Sequence, residues 1–294
     1  MQLYACTGNE PLAFGLISRL GIARGALNWH RFPDGETLVR IETPPDREVC
    51  ILCTLADPDP RIMPLLMTAE ALRAQGAARV GLIAPYLAYM RQDMSFHPGE
   101  AVAARHFGAL LGQRFDWLVT VDPHLHRIHD LQEVVGCPSR SLHASALLAD
   151  WIGSNVSDPV LVGPDGESAQ WVSQAAARIG APWGTLSKER LGDLQVRMSL
   201  PEHMPLEGHN PVLVDDIISS GHTLVKAASA LRARGCETPL RCVAVHGLFA
   251  GTARASLKAA GFTQVTVTNS VPQPESRIDI APMLAEGVRT MVDP

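Results

Sequence analysis

No stretch of this sequence approaches the roughly 18 consecutive apolar residues of a membrane-spanning helix. The opening Met1-Gln2-Leu3-Tyr4-Ala5-Cys6 has neither the basic region nor the apolar core of a secretory signal. A cytoplasmic protein with no membrane partner is expected. A dominant charge is also missing: 25 Lys and Arg face 30 Asp and Glu, for a formal net charge of -5. Nucleic acid is therefore not an expected partner, and any phosphate-binding site must be local. Cysteine is sparse, and the six residues at 6, 50, 53, 137, 236 and 242 form no disulfide framework. Cys50 and Cys53 make a CxxC inside the run Val49-Cys50-Ile51-Leu52-Cys53-Thr54, which reads as a buried strand with residues three apart on opposite faces. Structural thiols are expected there rather than a redox or metal pair. Low-complexity tracts and short repeats are absent, and 46% hydrophobic with 19% charged residues excludes a disordered chain.

What is present is an alternation of short apolar runs with longer segments of helical period, the pattern of a parallel α/β sheet. Strands are expected at 38–42, 49–54, 80–84, 117–122, 160–163, 212–215, 242–246 and 265–268. Helices are expected at 62–74, 101–112, 144–152, 168–179, 223–234, 252–260 and 282–290. In the first helix Ile62, Leu65, Leu66, Ala69 and Leu72 make one apolar stripe, with Met63 and Met67 on its flank as core or subunit-contact filler. A cut near Cys137-Pro138-Ser139 leaves four strands on each side, so two domains, 1–138 and 139–294, are expected as a duplicated α/β unit.

Chemistry concentrates in Pro211-Val212-Leu213-Val214-Asp215-Asp216-Ile217-Ile218-Ser219-Ser220-Gly221-His222-Thr223. A turn of Ser, Ser, Gly and Thr at a helix N-terminus offers N–H groups and hydroxyls to a phosphate. Carboxylates at the end of the preceding strand can accept hydrogen bonds from sugar hydroxyls. Phosphate at one end and a diol at the other describe a pentose phosphate; the bland alternative is a helix cap beside two solvated acids. Four further segments stand at strand ends or turns: Arg31-Phe32-Pro33-Asp34-Gly35-Glu36, Pro85-Tyr86-Leu87-Ala88-Tyr89-Met90-Arg91-Gln92-Asp93, Asp122-Pro123-His124-Leu125-His126 and Gly163-Pro164-Asp165-Gly166-Glu167-Ser168. The fifth is Lys188-Glu189-Arg190. Taken singly, several read equally well as solvated turns, and His124, His126 and His129 could be read as a zinc site, although the spacing fits no usual structural zinc pattern.

In their order these segments resemble the ribose-phosphate diphosphokinase family, closest to its archaeal-like type, and the resemblance spans about residues 31–285. It implies two tandem type I phosphoribosyltransferase-like domains, with mainly parallel sheets flanked by helices. It also implies an enzyme that transfers the diphosphoryl group of ATP to the C1 hydroxyl of ribose 5-phosphate with Mg2+. On that resemblance ATP falls to Phe32, Asp34, Glu36, Arg91 and Gln92 in the first domain. Ribose 5-phosphate falls to Arg190, Asp215, Asp216, Ser219, Ser220, Gly221, His222 and Thr223 in the second. His124 and Asp165 are implied magnesium contacts, Lys188, Arg190 and His124 the catalytic residues, and a homo-oligomer the assembly.

Glu167 and Ser168 stand where the family has small residues, and His222 where it usually has glycine. A non-catalytic regulatory paralogue therefore stays open as an alternative. A phosphoribosyltransferase, which would lack the first-domain segments, is the more distant one.

Overall fold

The computed structural model describes residues 1–95, 97–125, 127–128, 130–190, 196–201 and 204–292. His126 and His129, on which the zinc alternative rests, lie outside the described residues, and for Lys188 and Arg190 the description covers the backbone alone. Two units form. One comprises Met1–Leu142, Ser270–Pro272 and the segment from Ile280 onward, and the other His143–Asn269 with Gln273–Asp279.

In the first unit the strands are β1 (Gln2–Ala5), β2 (Ala23–Gly25), β3 (Leu27–Arg31), β4 (Thr37–Ile41), β5 (Glu48–Leu52), β6 (Arg79–Ala84), β7 (Trp117–Val121) and β8 (Ser139–Leu142). Helices α1 (Glu10–Leu20), α2 (Asp59–Ala74), α3 (Ala103–Gly112) and α4 (Gln132–Val135) lie between them. Six strands make one parallel sheet in the order β2-β1-β5-β6-β7-β8, while β3 and β4 form a separate antiparallel ribbon. A strand buried on both faces reads as a continuous apolar run, which is why β5, β6 and β7 were visible in the sequence. Alternate residues divide between the faces: Val49, Ile51 and Cys53 join the core cluster under α2 and α3, whereas Cys50 points the other way. Both CxxC thiols are fully buried, and burial pushes Cys50 up to about 12, so structural thiols fit this pair.

The second unit repeats this plan. Its strands are β9 (Pro159–Gly163), β10 (Trp183–Thr185), β11 (Ser187–Arg190), β12 (Val196–Ser199), β13 (Asn210–Ile218), β14 (Leu240–Gly247), β15 (Phe262–Thr268) and β16 (Ser276–Ile278). Its helices are α5 (Ser145–Asn155), α6 (Ala169–Ile179), α7 (His222–Ala233) and α8 (Ala253–Ala259). The sheet order is β10-β9-β13-β14-β15-β16, all parallel, with β11 and β12 as a separate antiparallel ribbon. In each unit the second sheet strand is thus followed by a two-stranded ribbon before the chain re-enters the sheet. The α/β duplication read from the sequence is present as repeated topology.

The halves are not simple, however. Helix α9 (Ala281–Val292) belongs with the first unit, where it packs on α1, β7 and β8. Leu284 and Val288 are fully buried there, each worth about 1.5–3 kcal/mol of apolar burial. Ser139–Leu142 also pairs with β7 in the first unit, so the expected division at 138/139 separates both elements from their packing partners. That return of the chain comes from packing, which apolar periodicity alone does not assign.

Candidate functional site

In the second unit the chain leaves β9 for β10 on one side and returns to β13 on the other, so the sheet order switches between β9 and β13. Open α/β sheets leave a crevice at such a point, outside the C-terminal strand ends. The segments that emerge there carry Asp165 and the Asp215-to-Thr223 stretch. Strand β13 is longer than its apolar run: parallel pairing with β14 continues through Ile218, so Asp215 and Asp216 lie within the strand and not at its end. Burial pushes the Asp215 carboxyl well above its ordinary range, and the negative charges of Asp216 and Asp165 add to this. The Asp216 N–H, donating to Asp215 Oδ1 at 3.0 Å, pulls the other way.

The turn after β13 is built to hold an anion. Gly221 takes φ 75° as the cap of α7, a left-handed conformation that glycine adopts cheaply. His222 is the first helical residue, so the position that needs glycine is Gly221, and His222 does not strain the loop. Its ring Nδ1 sits 3.2 Å from the Ser220 hydroxyl. Among the described residues no protein acceptor takes the N–H groups of Ser220 or Gly221, and the first turn of α7 adds the donors that any helix start leaves unused. The loop's carbonyls are braced from behind. Ile218 accepts from Leu248 and Phe249 at 2.9 and 3.1 Å, and Ser219 from Ala250 at 3.0 Å. Nothing in the sequence signals that bracing, because the 248–250 donors are backbone groups.

Asp165 has a second job. Its Oδ1 accepts from the N–H groups of Glu167 and Ser168 at 3.1 and 3.2 Å, capping the short 3-10 turn Gly166–Ser168. The other oxygen has no hydrogen-bond partner among the described residues. Glu167 is exposed, and the buried Ser168 hydroxyl turns back onto the Asp165 carbonyl at 2.6 Å. The Ser168 side chain packs against Gly163 and leaves no room there for a Cβ, so the glycine is required by this close approach. Among the described residues no group of three or more His, Cys, Asp or Glu gathers as a ready ion cage. The negative charges of Asp216 and Asp165 near Asp215 nevertheless suit a hard divalent cation that keeps water in its shell.

In the first unit the segment 31–36 is the tip of the β3–β4 ribbon. Phe32 N–H donates to the Glu36 carbonyl at 2.8 Å, and the Asp34 carboxylate accepts from Glu36 N–H at 3.1 Å. Phe32, Asp34 and Glu36 are all exposed, with the Phe32 ring edge-on to His30 at 4.8 Å. The ribbon is fixed to α2 through Trp29, whose indole N–H donates to the Thr68 hydroxyl at 2.9 Å; that hydroxyl donates in turn to the Pro64 carbonyl at 2.7 Å. An open pocket of about 340 Å³ lies beside the ribbon, with Arg31, Glu36, Asp59, Met63 and Met67 in its lining. Arg91 and Gln92 are exposed on the loop after β6, and His124 follows β7, the next strand in the sheet. The structure thus brings the ribbon, the 85–93 loop and His124 into the first unit, and Asp165, Asp215, Asp216 and the 219–223 loop into the second. Lys188 and Arg190 stand on β11, in register with Met198 and Val196.

Comparison with known proteins finds two domains in the chain. Residues 1–113 match the N-terminal domain of ribose phosphate pyrophosphokinase, and residues 137–276 match the phosphoribosyl transferase domain. A ribose-phosphate pyrophosphokinase of Methanopyrus kandleri is 34% identical over 294 residues, 99% of each chain. The protein of the same name from Pyrococcus furiosus is 31% identical over 86% of this chain and 88% of its own. The crystal structure of phosphoribosylpyrophosphate synthetase from Mycobacterium smegmatis superposes with a TM-score of 0.85, at 27% identity over 99% of this chain and 98% of that one. With a full-length relative above 30% identity and both domains matched in order, this chain belongs to the ribose-phosphate pyrophosphokinase family.

Proposed function

We propose that this protein transfers the diphosphoryl group of ATP to ribose 5-phosphate, giving 5-phosphoribosyl 1-diphosphate and AMP. The observation that carries the reading is the second unit's switch point, where an open anion loop and two strand carboxylates stand together. Asp215 and Asp216 accept hydrogen bonds from the sugar hydroxyls, and the 219–223 loop holds the 5-phosphate through its N–H groups and the Thr223 hydroxyl. The ribbon tip offers Phe32 to the face of the adenine and Asp34 and Glu36 to its edge, while Arg91 and Gln92 hold the nucleotide. A guanidinium fork matches phosphate oxygens well.

The C1 hydroxyl oxygen attacks the β-phosphorus in line and gives up its proton to solvent, and the bond from that phosphorus to the α–β bridging oxygen breaks, its electron pair leaving with AMP. Positioning and electrostatics dominate such a step. Lys188 and Arg190 supply positive charge where it spreads over the transferring oxygens. Magnesium, when bound, neutralises phosphate charge; the candidate ligands are His124 in the first unit and Asp165 in the second, with water and phosphate oxygens filling most of the shell such an ion prefers. A cytoplasmic homo-oligomer is part of the same reading. It is supported by six buried free cysteines and by Met63, Met67 and Leu38, which leave an apolar surface on α2 and β4.

The direct test incubates the purified protein with ATP, magnesium and ribose 5-phosphate and follows both products. AMP and 5-phosphoribosyl 1-diphosphate are expected in equal amounts. AMP without the second product, or neither, would overturn the reading.

The regulatory alternative turns on His222. Since His222 has helical backbone and Gly221 takes the positive φ, His222→Gly is expected to change the apparent affinity for ribose 5-phosphate by less than about tenfold, or 1.4 kcal/mol. A silent wild type alongside an active His222→Gly protein, measured by the same product assay, would show a blocked native loop.

A further inference from the structure

Asp93 ends the segment Arg91-Gln92-Asp93, yet it does not share the exposure of its neighbours. Its side chain is fully buried, whereas Arg91 and Gln92 are open to solvent. A carboxylate in such a place needs donors. Among the described residues it has two, both from Arg127: Oδ2 accepts from the backbone N–H at 3.1 Å, and Oδ1 from the guanidinium at 3.0 Å. Arg127 stands three residues beyond His124, on the stretch that leaves β7. One buried side chain therefore staples the loop after β6 to the loop after β7. The loop after β6 is held elsewhere too. Tyr89, at φ 66°, donates its hydroxyl to Asp59 and sets its ring on Phe107, and the Gln92 carbonyl accepts from Ala104 N–H at 3.1 Å.

We propose that Asp93 and Arg127 are a positioning pair that fixes Arg91, Gln92 and His124 relative to one another before the nucleotide arrives. The inference rests on the reading that ATP binds to these loops. Asp93 then touches no substrate, because both its oxygens are turned into the protein onto Arg127. Its effect passes through the geometry of exposed neighbours, and a displacement of about 1 Å at such groups lowers rates or affinities by up to about a hundredfold. Arg127 is half-exposed, and the backbone half of the contact survives any change of its side chain. Substituting Arg127 consequently loosens the staple without emptying the core.

The experiment compares wild type with Arg127→Gln, Arg127→Lys, Asp93→Asn and the Asp93→Asn/Arg127→Gln double variant, with each substrate varied in turn and a thermal melt for each protein. Arg127→Gln is expected to raise KM for ATP by about tenfold while KM for ribose 5-phosphate moves less than about twofold. Arg127→Lys recovers part of the loss, since a lysine keeps the charge but not the fork. The double variant is no worse than the worse single one, as groups acting through one contact are not additive.

An unchanged KM for ATP in Arg127→Gln overturns the proposal, as does an equal rise for both substrates or full additivity in the double variant. Should Asp93→Asn fail to fold, the two Arg127 variants decide alone. An inactive wild type would instead sink the functional reading, and calorimetric titration of ATP into wild type and Arg127→Gln would then judge the pair by itself, with equal affinities overturning it.

Discussion

Asp215→Asn is expected to melt at a higher temperature than the wild type at neutral pH and to bind ribose 5-phosphate about three- to tenfold more weakly. Both halves follow from the position of one carboxylate. Inside β13, Asp215 is pushed well above its ordinary value of 3.8, first by burial and then by the negative charge of Asp216. A folded state that raises an acid's proton affinity binds more protons than the unfolded chain, so stability falls as pH rises through that interval. Asparagine does not titrate. The variant's advantage should therefore appear above pH 3.8, grow until pH passes the folded value, and vanish below 3.8. Melts taken without metal ion or ligand across this range test the sign, and a variant that melts lower at every pH would refute it.

The loss of binding has a separate cause. A carboxylate accepting from a sugar hydroxyl makes a charge-assisted hydrogen bond worth about 1.5–3 kcal/mol, roughly twice a neutral one, and the amide cannot match it. Stability withheld at a ligand site in this way is a common exchange between folding and function. It also accounts for two adjacent aspartates in a strand where the three preceding residues, Val212, Leu213 and Val214, are fully buried. Their repulsion has no structural use, but it leaves acceptors ready for hydroxyls or a cation.

How much of this was legible in the sequence depends on burial. Strands β5, β6, β7, β9, β13, β14 and β15 are inner strands whose apolar runs were visible, whereas the inner strand β1 was missed because Gln2–Ala5 is only four residues long and begins on a polar residue. The edge strands β2, β8, β10 and β16 have three or four residues each, with Arg24, Ser139, Arg140, Ser141, Thr185, Ser276 and Arg277 among them. Half-covered and short, they leave no run to detect. Helix α1 was missed because Pro11 and Gly15 interrupt a propensity signal that packing then overrides.

The site divides in the same manner. Motif segments were visible because their residue types state a chemistry, as Ser219-Ser220-Gly221 does for an anion. Within them the sequence could not distinguish Arg91 from Asp93, since exposure and burial alternate inside one loop. It also placed the demand for glycine at His222, one residue away from where the positive φ falls. Bracing by Leu248, Phe249 and Ala250 rests on backbone N–H groups that any sequence provides.

The largest expected effect belongs to the second unit's ribbon. Lys188→Ala and Arg190→Ala should each lower kcat by about a hundred- to a thousandfold, the usual range for removing one donor that stabilises transition-state charge. The topology supports assigning that duty to β11. The ribbon stands between β10 and β13 in the chain, as β3–β4 stands between β2 and β5, and in each unit its two strands pair with each other and not with the six-stranded sheet. A two-stranded ribbon has few partners to lose, and alone it is marginally stable. It can therefore close over bound phosphates at small conformational expense, and changes on it should leave the melting temperature near that of the wild type. Because the two cations would act on the same developing charge, the double variant should fall well short of the product of the single effects. Steady-state kinetics with both substrates saturating, together with melts, measures all of this. Near wild-type kcat in both single variants would remove the ribbon from the mechanism. A large drop in melting temperature would instead make Lys188 and Arg190 structural, and the charge over the transferring diphosphoryl group would have to come from Arg91 and the metal ion.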